Sequence, residues 1–488
     1  VGMRIVEHGD DLQAAFEAVS RESQQAFGDG GIIVEKYLAN ARHLEVQVLA
    51  DHYGHCVHLH ERDCSIQRRR QKIVEESPAR LLPAGIKQSL CDTAVAIAKH
   101  INYRGAGTVE FLYSPEHQQF YFLEMNTRLQ VEHGVTELVT GIDIVQWQLR
   151  LAEGEALTLA QANIPQNGHA IECRICAENP SKGFIPAIGT IEYWAAPKYQ
   201  RCDSGVQSGD RISIYYDSLV AKVIACGNDF FEANRNLQTA LNQSVLLGVD
   251  NNLPYLRKLI SSDSWRGGGL DTQAVERNHA LWSSPLSVGD RDYLLCSALA
   301  AISDNAESQP WPGQHYNPQI WQVSIAGMSL DVESRTGLND RQTLVIDGQS
   351  FESKVFSVET VERGLVKRVD IEVNQHRFRV LCGVRGSEVF VHGDTIGALN
   401  FTLGSVGQSV VEELSSDVIS SPMPAKIIAV SVSAGDQVIK GQVLLILESM
   451  KMETSIVANR DGVIAAVNIS EGELVEAYTT LIELAEEK

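Results

Sequence analysis

The sequence predicts a multidomain α+β chain, and three observations predict it. Residues 108–113 and 120–126 are two β-rich runs around a polar turn that carries Pro115. Residues 319–401 alternate apolar and polar side chains, with turn signals at Asp347-Gly348, Asn374-Gln375 and Gly393-Asp394. The carboxy-terminal stretch repeats itself at an offset of 37: Val430 matches Val467, Gly435 Gly472, Val438 Val475, Leu444 Leu481 and Leu447 Leu484. At 488 residues the chain has room for three or four domains of roughly 100–200 residues each.

The first element with chemistry in it is the 108–126 hairpin. A loop symmetric about His117 sets Glu110 opposite Glu124. Carboxylates that meet directly across a strand pair, about 4.5–5.5 Å apart at Cβ, repel each other, so such a pair needs a shared cation or proton. Side chains alternate along a strand, which sends Glu124, Asn126 and, if the extended chain continues, Arg128 to one side. Oxygen ligands with open coordination positions suit Mg²⁺ carrying nucleotide phosphates. The planar fork of an arginine suits a phosphate or carboxylate. The alternative is an exposed hairpin with a solvated acidic face.

Farther along, 228–260 reads as helix-rich, with Phe230, Phe231, Ala233, Leu237, Ala240 and Leu241 as its apolar face. A polar stretch over 261–287, with Gly267-Gly268-Gly269, ends in a domain boundary. An apolar helix over 293–302 leads into the alternating middle. That middle has no paired acids and no His or Cys at metal-ligand spacing.

The two repeat halves, 425–447 and 462–484, break at Ala434-Gly435-Asp436 and Glu471-Gly472-Glu473. They read as strands joined by tight turns that close into a flattened β-sandwich. Lys451 falls between the halves in Glu448-Ser449-Met450-Lys451-Met452-Glu453, flanked by two of the chain's six methionines. A lysine at a hairpin tip is held by rigid strands yet open to a modifying enzyme.

Composition narrows the partners. Lys plus Arg total 41 against 62 Asp plus Glu, a net charge of −21. That balance argues against nucleic acid or an anionic membrane surface. Nine cysteines, odd in number and scattered, predict a reducing compartment; Cys173 and Cys176 read as packing thiols in a strand. No stretch reaches ~20 apolar residues and no secretory leader is evident. The expected location is the cytoplasm of a bacterium or the mitochondrial matrix of a eukaryote.

Two sets of motifs carry a family resemblance. Met450-Lys451-Met452, with Ser421-Pro422-Met423-Pro424-Ala425 ahead of it, resembles the biotinyl domains. Lipoyl domains share the fold and repeat but usually carry Asp-Lys-Ala at the tip. The run from Glu124 to His133 (Glu-Met-Asn-Thr-Arg-Leu-Gln-Val-Glu-His) resembles the signature of the biotin carboxylases, within the ATP-grasp superfamily. Glu61-Arg62-Asp63-Cys64-Ser65-Ile66-Gln67-Arg68-Arg69, Arg104-Gly105-Ala106-Gly107-Thr108 and Glu172-Cys173-Arg174 belong to the same pattern.

The resemblance implies a partial ATP-grasp fold over 1–168, a biotin carboxylase C-terminal domain over 169–283, a helix plus β-rich linking or docking domain over 284–411, and a biotinyl/lipoyl-type flattened β-sandwich over 415–488. It implies that Glu110, Glu124 and Asn126 hold Mg²⁺ (or Mn²⁺), that Glu35, Lys36 and Leu38 hold adenine, and that His43 and Gln67 line the ATP nucleotide. Glu132 matches the base that deprotonates bicarbonate for attack on the γ-phosphate. Arg128, Gln130 and Val131 match the bicarbonate pocket, and Lys72 matches a cationic contact there. Arg174 matches the group that stabilises the biotin enolate, and Lys451 the site of covalent biotin attachment.

The family it resembles is that of acyl-CoA carboxylase α-subunits. Val145-Gln146-Trp147-Gln148-Leu149-Arg150 and Arg201-Cys202-Asp203-Ser204-Gly205-Val206 lean toward the 3-methylcrotonyl-CoA type. The implied partners are a carboxyltransferase β-subunit, a biotin protein ligase, and a second copy of the chain through the carboxylase part, where Tyr215-Tyr216-Asp217-Ser218 matches. The alternatives are a carrier and docking subunit with an inert ATP site, and a lipoyl-bearing carrier.

Three departures from the pattern stand out. Val1-Gly2-Met3-Arg4 is all that matches an upstream domain and glycine-rich phosphate loop, which predicts a chain truncated at its amino end. Arg70 stands where many relatives have His or Asn, with a changed nucleotide pocket expected. Gly134 stands where Pro is usual, with a looser turn after Glu132 expected.

Overall fold

The computed structural model describes residues 3–6, 9–303, 319–325, 328–336, 341–361, 366–394, 396–404, 417–450 and 452–485; Val1, Gly2 and Lys451 lie outside the described residues.

Eight strands form one antiparallel sheet: β1 (Arg42–Ala50), β2 (Cys56–Arg68), β3 (Gln71–Ser77), β4 (Gly105–Ser114), β5 (Gln119–Asn126), β6 (His169–Cys176), β7 (Arg201–Ser204) and β8 (Leu219–Gly227). Their order is β7-β8-β6-β3-β2-β1-β4-β5. Nine helices accompany the described chain: α1 (Leu12–Phe27), α2 (Ala84–His100), α3 (His133–Thr140), α4 (Ile144–Ala152), α5 (Phe230–Gln243), α6 (Leu253–Ser261), α7 (Asp263–Gly267), α8 (Ala274–Trp282) and α9 (Val288–Ser303).

Strand alternation explains why the sheet has one apolar and one charged face. Leu44, Val46 and Val48 of β1, with Val109 and Phe111 of β4, pack on Leu90, Cys91, Ala94 and Ala98 of α2. Ile171, Cys173 and Ile175 of β6, with Ala221, Val223 and Ala225 of β8, pack on Ala233, Leu237, Ala240 and Leu241 of α5. The intervening positions, His43, Glu45, Gln47, Glu110, Glu172, Arg174 and Lys222, bring buried polar groups to the opposite face in six of these seven cases, Arg174 being part-buried. Helix α3 covers that face with Val135 and Val139 against Ala170 and Ile224.

Two details differ from expectation. Phe231 is 62 % exposed; the buried face of α5 runs 230, 233, 237, 240, 241, and position 231 falls off it. In the polar 261–287 stretch, Trp265 and Trp282 are buried in the core between β6, β8 and α5, ahead of the expected boundary. The β4–β5 loop is centred between Glu116 and His117, with Ser114 paired to Gln119; a register shift beside Phe111 then restores the Glu110–Glu124 pairing.

The middle is a closed barrel of eight strands, from Gln319–Ile325 to Gly397–Gly404, the first pairing with the last. Helix α9 runs into it, and Leu294 through Ala301 are buried on all sides. A helix that is apolar all round belongs inside a core, and here the barrel wall supplies that core. Asp347-Gly348 and Asn374-Gln375 take positive φ as two-residue hairpin turns.

The carboxy-terminal part is two four-stranded sheets whose strands obey the repeat. Ala425–Val430 maps onto Gly462–Val467 and Gln437–Val438 onto Leu474–Val475. The halves interlock: 425–430 pairs with 474–475, and 462–467 with 437–438. Gly435 and Gly472, at φ 97° and 85°, make the equivalent turns.

Candidate active site

The charged face of the large sheet gathers most of the residues singled out in the sequence. Register does the gathering: Glu45 lies opposite both Arg62 and Glu110, and Glu110 opposite Glu124. Gln67 lies opposite Lys72, and Arg174 opposite Lys222.

Lys72, at the start of β3, is the hub. Its Nζ donates to Glu45 at 2.5 Å, Glu132 at 2.6 Å and Glu110 at 2.9 Å. Burial opposes its charge, yet the acids around it, Glu45 foremost, raise its pKa and keep it protonated. Burial likewise pushes Glu45 upward, but Arg62 and Lys72 more than reverse this and hold it at about 2. Glu110 also ends at about 2: burial raises it, and the His43 contact and Lys72 pull it down.

Glu132 stands at the start of α3, where its side chain makes no helix cap. Instead, one carboxylate oxygen accepts from Lys72 and the other from Arg174 Nη2 at 2.9 Å. Arg174 Nε donates to Glu75 at 2.5 Å. Gln130 Nε2 donates to Glu110 at 2.6 Å, and its carbonyl accepts from Arg62 at 2.9 Å. His43 Nε2 lies 2.9 Å from Glu110, and Gln67 Nε2 lies 3.1 Å from His43 Nδ1. The Val131 carbonyl accepts from Lys222.

Asn126 Nδ2 lies 3.0 Å from Glu110 and 3.4 Å from Glu124. Two carboxylates around one amide are hard oxygen donors of the kind a divalent cation such as Mg²⁺ prefers, so these residues fit one. Glu110 is 4 % exposed and Glu124 is open to solvent, so such an ion would be held from the inside and reached from outside.

Other sequence-singled residues lie outside this network. Strand β5 ends at Asn126, so Arg128 does not continue its face; it is exposed, and its Nη1 donates to the Leu129 carbonyl. Glu35 and Lys36 are exposed in an irregular stretch, with Leu38 half-buried; Lys36 Nζ reaches the Tyr121 hydroxyl at 3.4 Å. Lys451 itself is not among the described residues. Beside it, Met450 is 2 % exposed, and its backbone N–H donates to the Ile214 carbonyl at 3.1 Å.

Two departures take on different meanings. Arg70 is an exposed residue in the β2–β3 turn, at φ 70°. Gly134 does not loosen its surroundings: it lies in the first turn of α3, where a Cβ would come within 2.2 Å of Ile224 Cδ1. The missing side chain lets the helix that follows Glu132 settle on β8.

Sequence reasoning missed Glu45, Glu75, Lys222 and the separate roles of Arg62 and Glu172. The available signal was a lone charge inside an apolar strand run, as in Leu219-Val220-Ala221-Lys222-Val223-Ile224. Such a charge tolerates burial only with a partner.

Family models fit the same three regions. Residues 1–160 match the carbamoyl-phosphate synthase L chain, ATP binding domain; 172–277 match the biotin carboxylase C-terminal domain; and 417–484 match the model described as biotin-requiring enzyme. Over 505 residues the chain is 35% identical to the mitochondrial methylcrotonoyl-CoA carboxylase subunit alpha of Dictyostelium discoideum, covering 98% of this chain and 72% of that protein. The chain belongs to the α-subunits of biotin-dependent carboxylases.

Another α-subunit relative is the mitochondrial propionyl-CoA carboxylase alpha chain of Sus scrofa, 35% identical over 99% of this chain and 69% of that one. Among solved structures, the biotin carboxylase domain of the Hydrogenobacter thermophilus 2-oxoglutarate carboxylase, bound to MgADP, ADP and bicarbonate, matches with TM-score 0.56 and 42% identity. The chain spans 63% of that protein's length, and the match covers 58% of this chain. A biotin carboxylase from Campylobacter jejuni in a nucleotide complex matches with TM-score 0.54 and 42% identity, covering 57% of this chain and 62% of that one. Carboxylases of this family are ligases that require biotin and bind ATP. Among the described residues, no helix is long and apolar enough to cross a membrane.

Proposed function

We propose that the charged sheet face carries out ATP-dependent carboxylation of biotin with bicarbonate, and that Glu132 is its base. The observation that carries this reading is the double clamp on Glu132: Lys72 on one oxygen, Arg174 on the other. Bicarbonate is a weak nucleophile, and a positioned carboxylate that takes its proton turns it into a better one. The proton passes from the bicarbonate hydroxyl to Glu132, and the freed oxygen attacks the γ-phosphate of ATP, forming carboxyphosphate as the bond to the ADP leaving group breaks. Lys72 and Arg174 are fixed before the reaction begins, so they stabilise developing negative charge without reorganising.

Glu110, Glu124 and Asn126 would hold Mg²⁺, which would offset the negative charge of the nucleotide phosphates. His43 and Gln67 line the nucleotide, with Glu35, Lys36 and Leu38 at its base. Gln130 and the Val131 carbonyl would border bicarbonate, and the exposed Arg128 would reach it from the solvent side. Lys451 would hold biotin, whose ureido nitrogen would supply the carboxyl acceptor at this site and the donor at a second one. A separate carboxyltransferase β-subunit provides that site, a biotin protein ligase loads Lys451, and two copies associate through the carboxylase part. The acyl acceptor is of the 3-methylcrotonyl-CoA type, a reading supported by residues 145–150 and 201–206, and the compartment in a eukaryote is the mitochondrial matrix.

Two variants test the reading. Glu132→Gln removes a base worth about 10²–10⁴ in rate, so bicarbonate-dependent ADP release falls by that factor while biotin stays on the protein. Lys451→Arg abolishes biotin attachment, detected by avidin blotting. Turnover that survives Glu132→Gln places the base elsewhere.

A further inference from the structure

Two carboxyls on the charged face are not used by the proposed reaction, and both leave buried oxygens without a hydrogen-bond partner. Glu75 of β3 and Glu172 of β6 are 0 % exposed. Glu75 Oε1 accepts from Arg174, but Oε2 has no partner, and neither oxygen of Glu172 has one. The two residues are direct cross-strand partners.

The surrounding charges do not settle the pair. The groups that face it are Arg174 and the Cys173 thiol on β6 itself, Lys72 from β3, the Cys64 thiol from β2, Lys222 from β8, and Glu132 at the entry to α3. Lys222 is the nearest cation to Glu172, yet at 3.6 Å it makes an ion pair and no hydrogen bond. Its ammonium is already engaged by the Val131 carbonyl and by Asp203 at 3.4 Å. Arg174 is divided between Glu75 and Glu132. Helix α3 closes the space above, with Gly134 against Glu172. Two ionised carboxylates in such a place, both shut off from bulk solvent, repel strongly.

We propose that Glu172 and Glu75 share one proton across the β3–β6 strand pair, and that this acid pair positions Arg174 against the base Glu132. A proton on Glu172, donated to the free oxygen of Glu75, converts orphan acceptors on both side chains into one hydrogen bond. Glu75 keeps a single charge, which its other oxygen spends on Arg174 Nε. The guanidinium is thereby oriented with Nη2 on Glu132. Burial acts in the same direction, raising Glu172 well above the carboxylate range and Glu75 to about 7. Glu75 and Glu172 are positioning residues, acting on the reaction through Arg174; that consequence rests on the carboxylase reading, whereas the shared proton does not.

Infrared difference spectroscopy on the full chain at neutral pH tests the proton directly. Wild type minus Glu172→Gln should contain the carbonyl stretch of a protonated carboxylic acid, shifting in D₂O. Only carboxylate bands in that difference would overturn the proposal. Should Glu172→Gln not fold, Glu75→Gln must displace the same band, and an unmoved band overturns it equally. Because no activity is read, a failure of the carboxylase reading leaves this result intact. The positioning role is read separately: Glu75→Gln lowers kcat for biotin carboxylation by about 10²-fold, the effect of a misplaced catalytic contact, with KM for ATP unchanged and partial rescue in Glu75→Asp. A matched change in KM and kcat, or no rescue, contradicts it.

Discussion

Lys72 shows how a single ammonium can organise a site. Three carboxylates within 2.9 Å would drive one another apart without it, so its removal exposes uncompensated buried charge. Lys72→Met should therefore destabilise the carboxylase part by about 3–5 kcal/mol, measured by denaturant unfolding. The pH dependence follows from Glu45 and Glu110. Both are held at about 2 in the fold, below the unfolded range, so the stability they contribute is present above about pH 4.3 and is lost as pH falls through the folded values. In Lys72→Met this acid limb should be shallower, since the cation that depresses both groups is gone. A limb of unchanged slope would mean that Arg62 and His43 suffice. The Glu110–Glu124 pairing was legible because strand alternation and a turn determine it. Lys72, Gln67 and Glu132 were legible only through motif resemblance: their convergence depends on which strands neighbour one another, and no local pattern encodes the order β6-β3-β2-β1-β4.

Elements carry the second layer of explanation. Helix α3 delivers Glu132 and seals the charged face, and it does so by close approach at Gly134. A methyl group there meets Ile224 Cδ1 at 2.2 Å, which overpacks a buried contact. Gly134→Ala is expected to lose about 1–3 kcal/mol, and Ile224→Val, which removes that carbon atom, should recover most of it. Additive losses in the double-mutant cycle would show that the two residues do not meet. Helix α9 teaches the converse lesson. Its apolar character was readable over 293–302, as were the hairpin turns of the strands after it, yet its place inside the barrel was not. Periodicity reports that a helix is buried on all sides and is silent about what surrounds it. The repeat in the carboxy-terminal part was the most legible feature, since an offset of 37 maps one set of strand bounds onto the other.

At the scale of the molecule, three modules share contacts that hold the site and its carrier in one assembly. Arg385 of the barrel donates to Glu192 at 2.9 Å and to Glu388 at 2.8 Å, and reaches the Thr190 and Gly248 carbonyls. Val366, Leu381 and Phe390 of the barrel pack on Val245 and Leu247 of the carboxylase part. Arg385→Ala should loosen this seam while leaving both folds intact, so hydrogen exchange should quicken at the strand 388–393 and at 245–247 and nowhere else. Uniformly faster exchange would mean that the arginine supports the barrel alone. Ile185 packs against the core of the carboxy-terminal part, and the Ile214 carbonyl accepts from the Met450 amide, which sets residue 450 beside the carboxylase part. The central claim is that Glu132, clamped by Lys72 and Arg174, is the base of a bicarbonate-dependent ATP reaction. It is tested most directly by bicarbonate-dependent ADP release with free biotin, comparing wild type with Glu132→Gln. The account predicts release that depends on bicarbonate and falls by about 10²–10⁴ in the variant; equal release from both proteins, or none from the wild type, would contradict it.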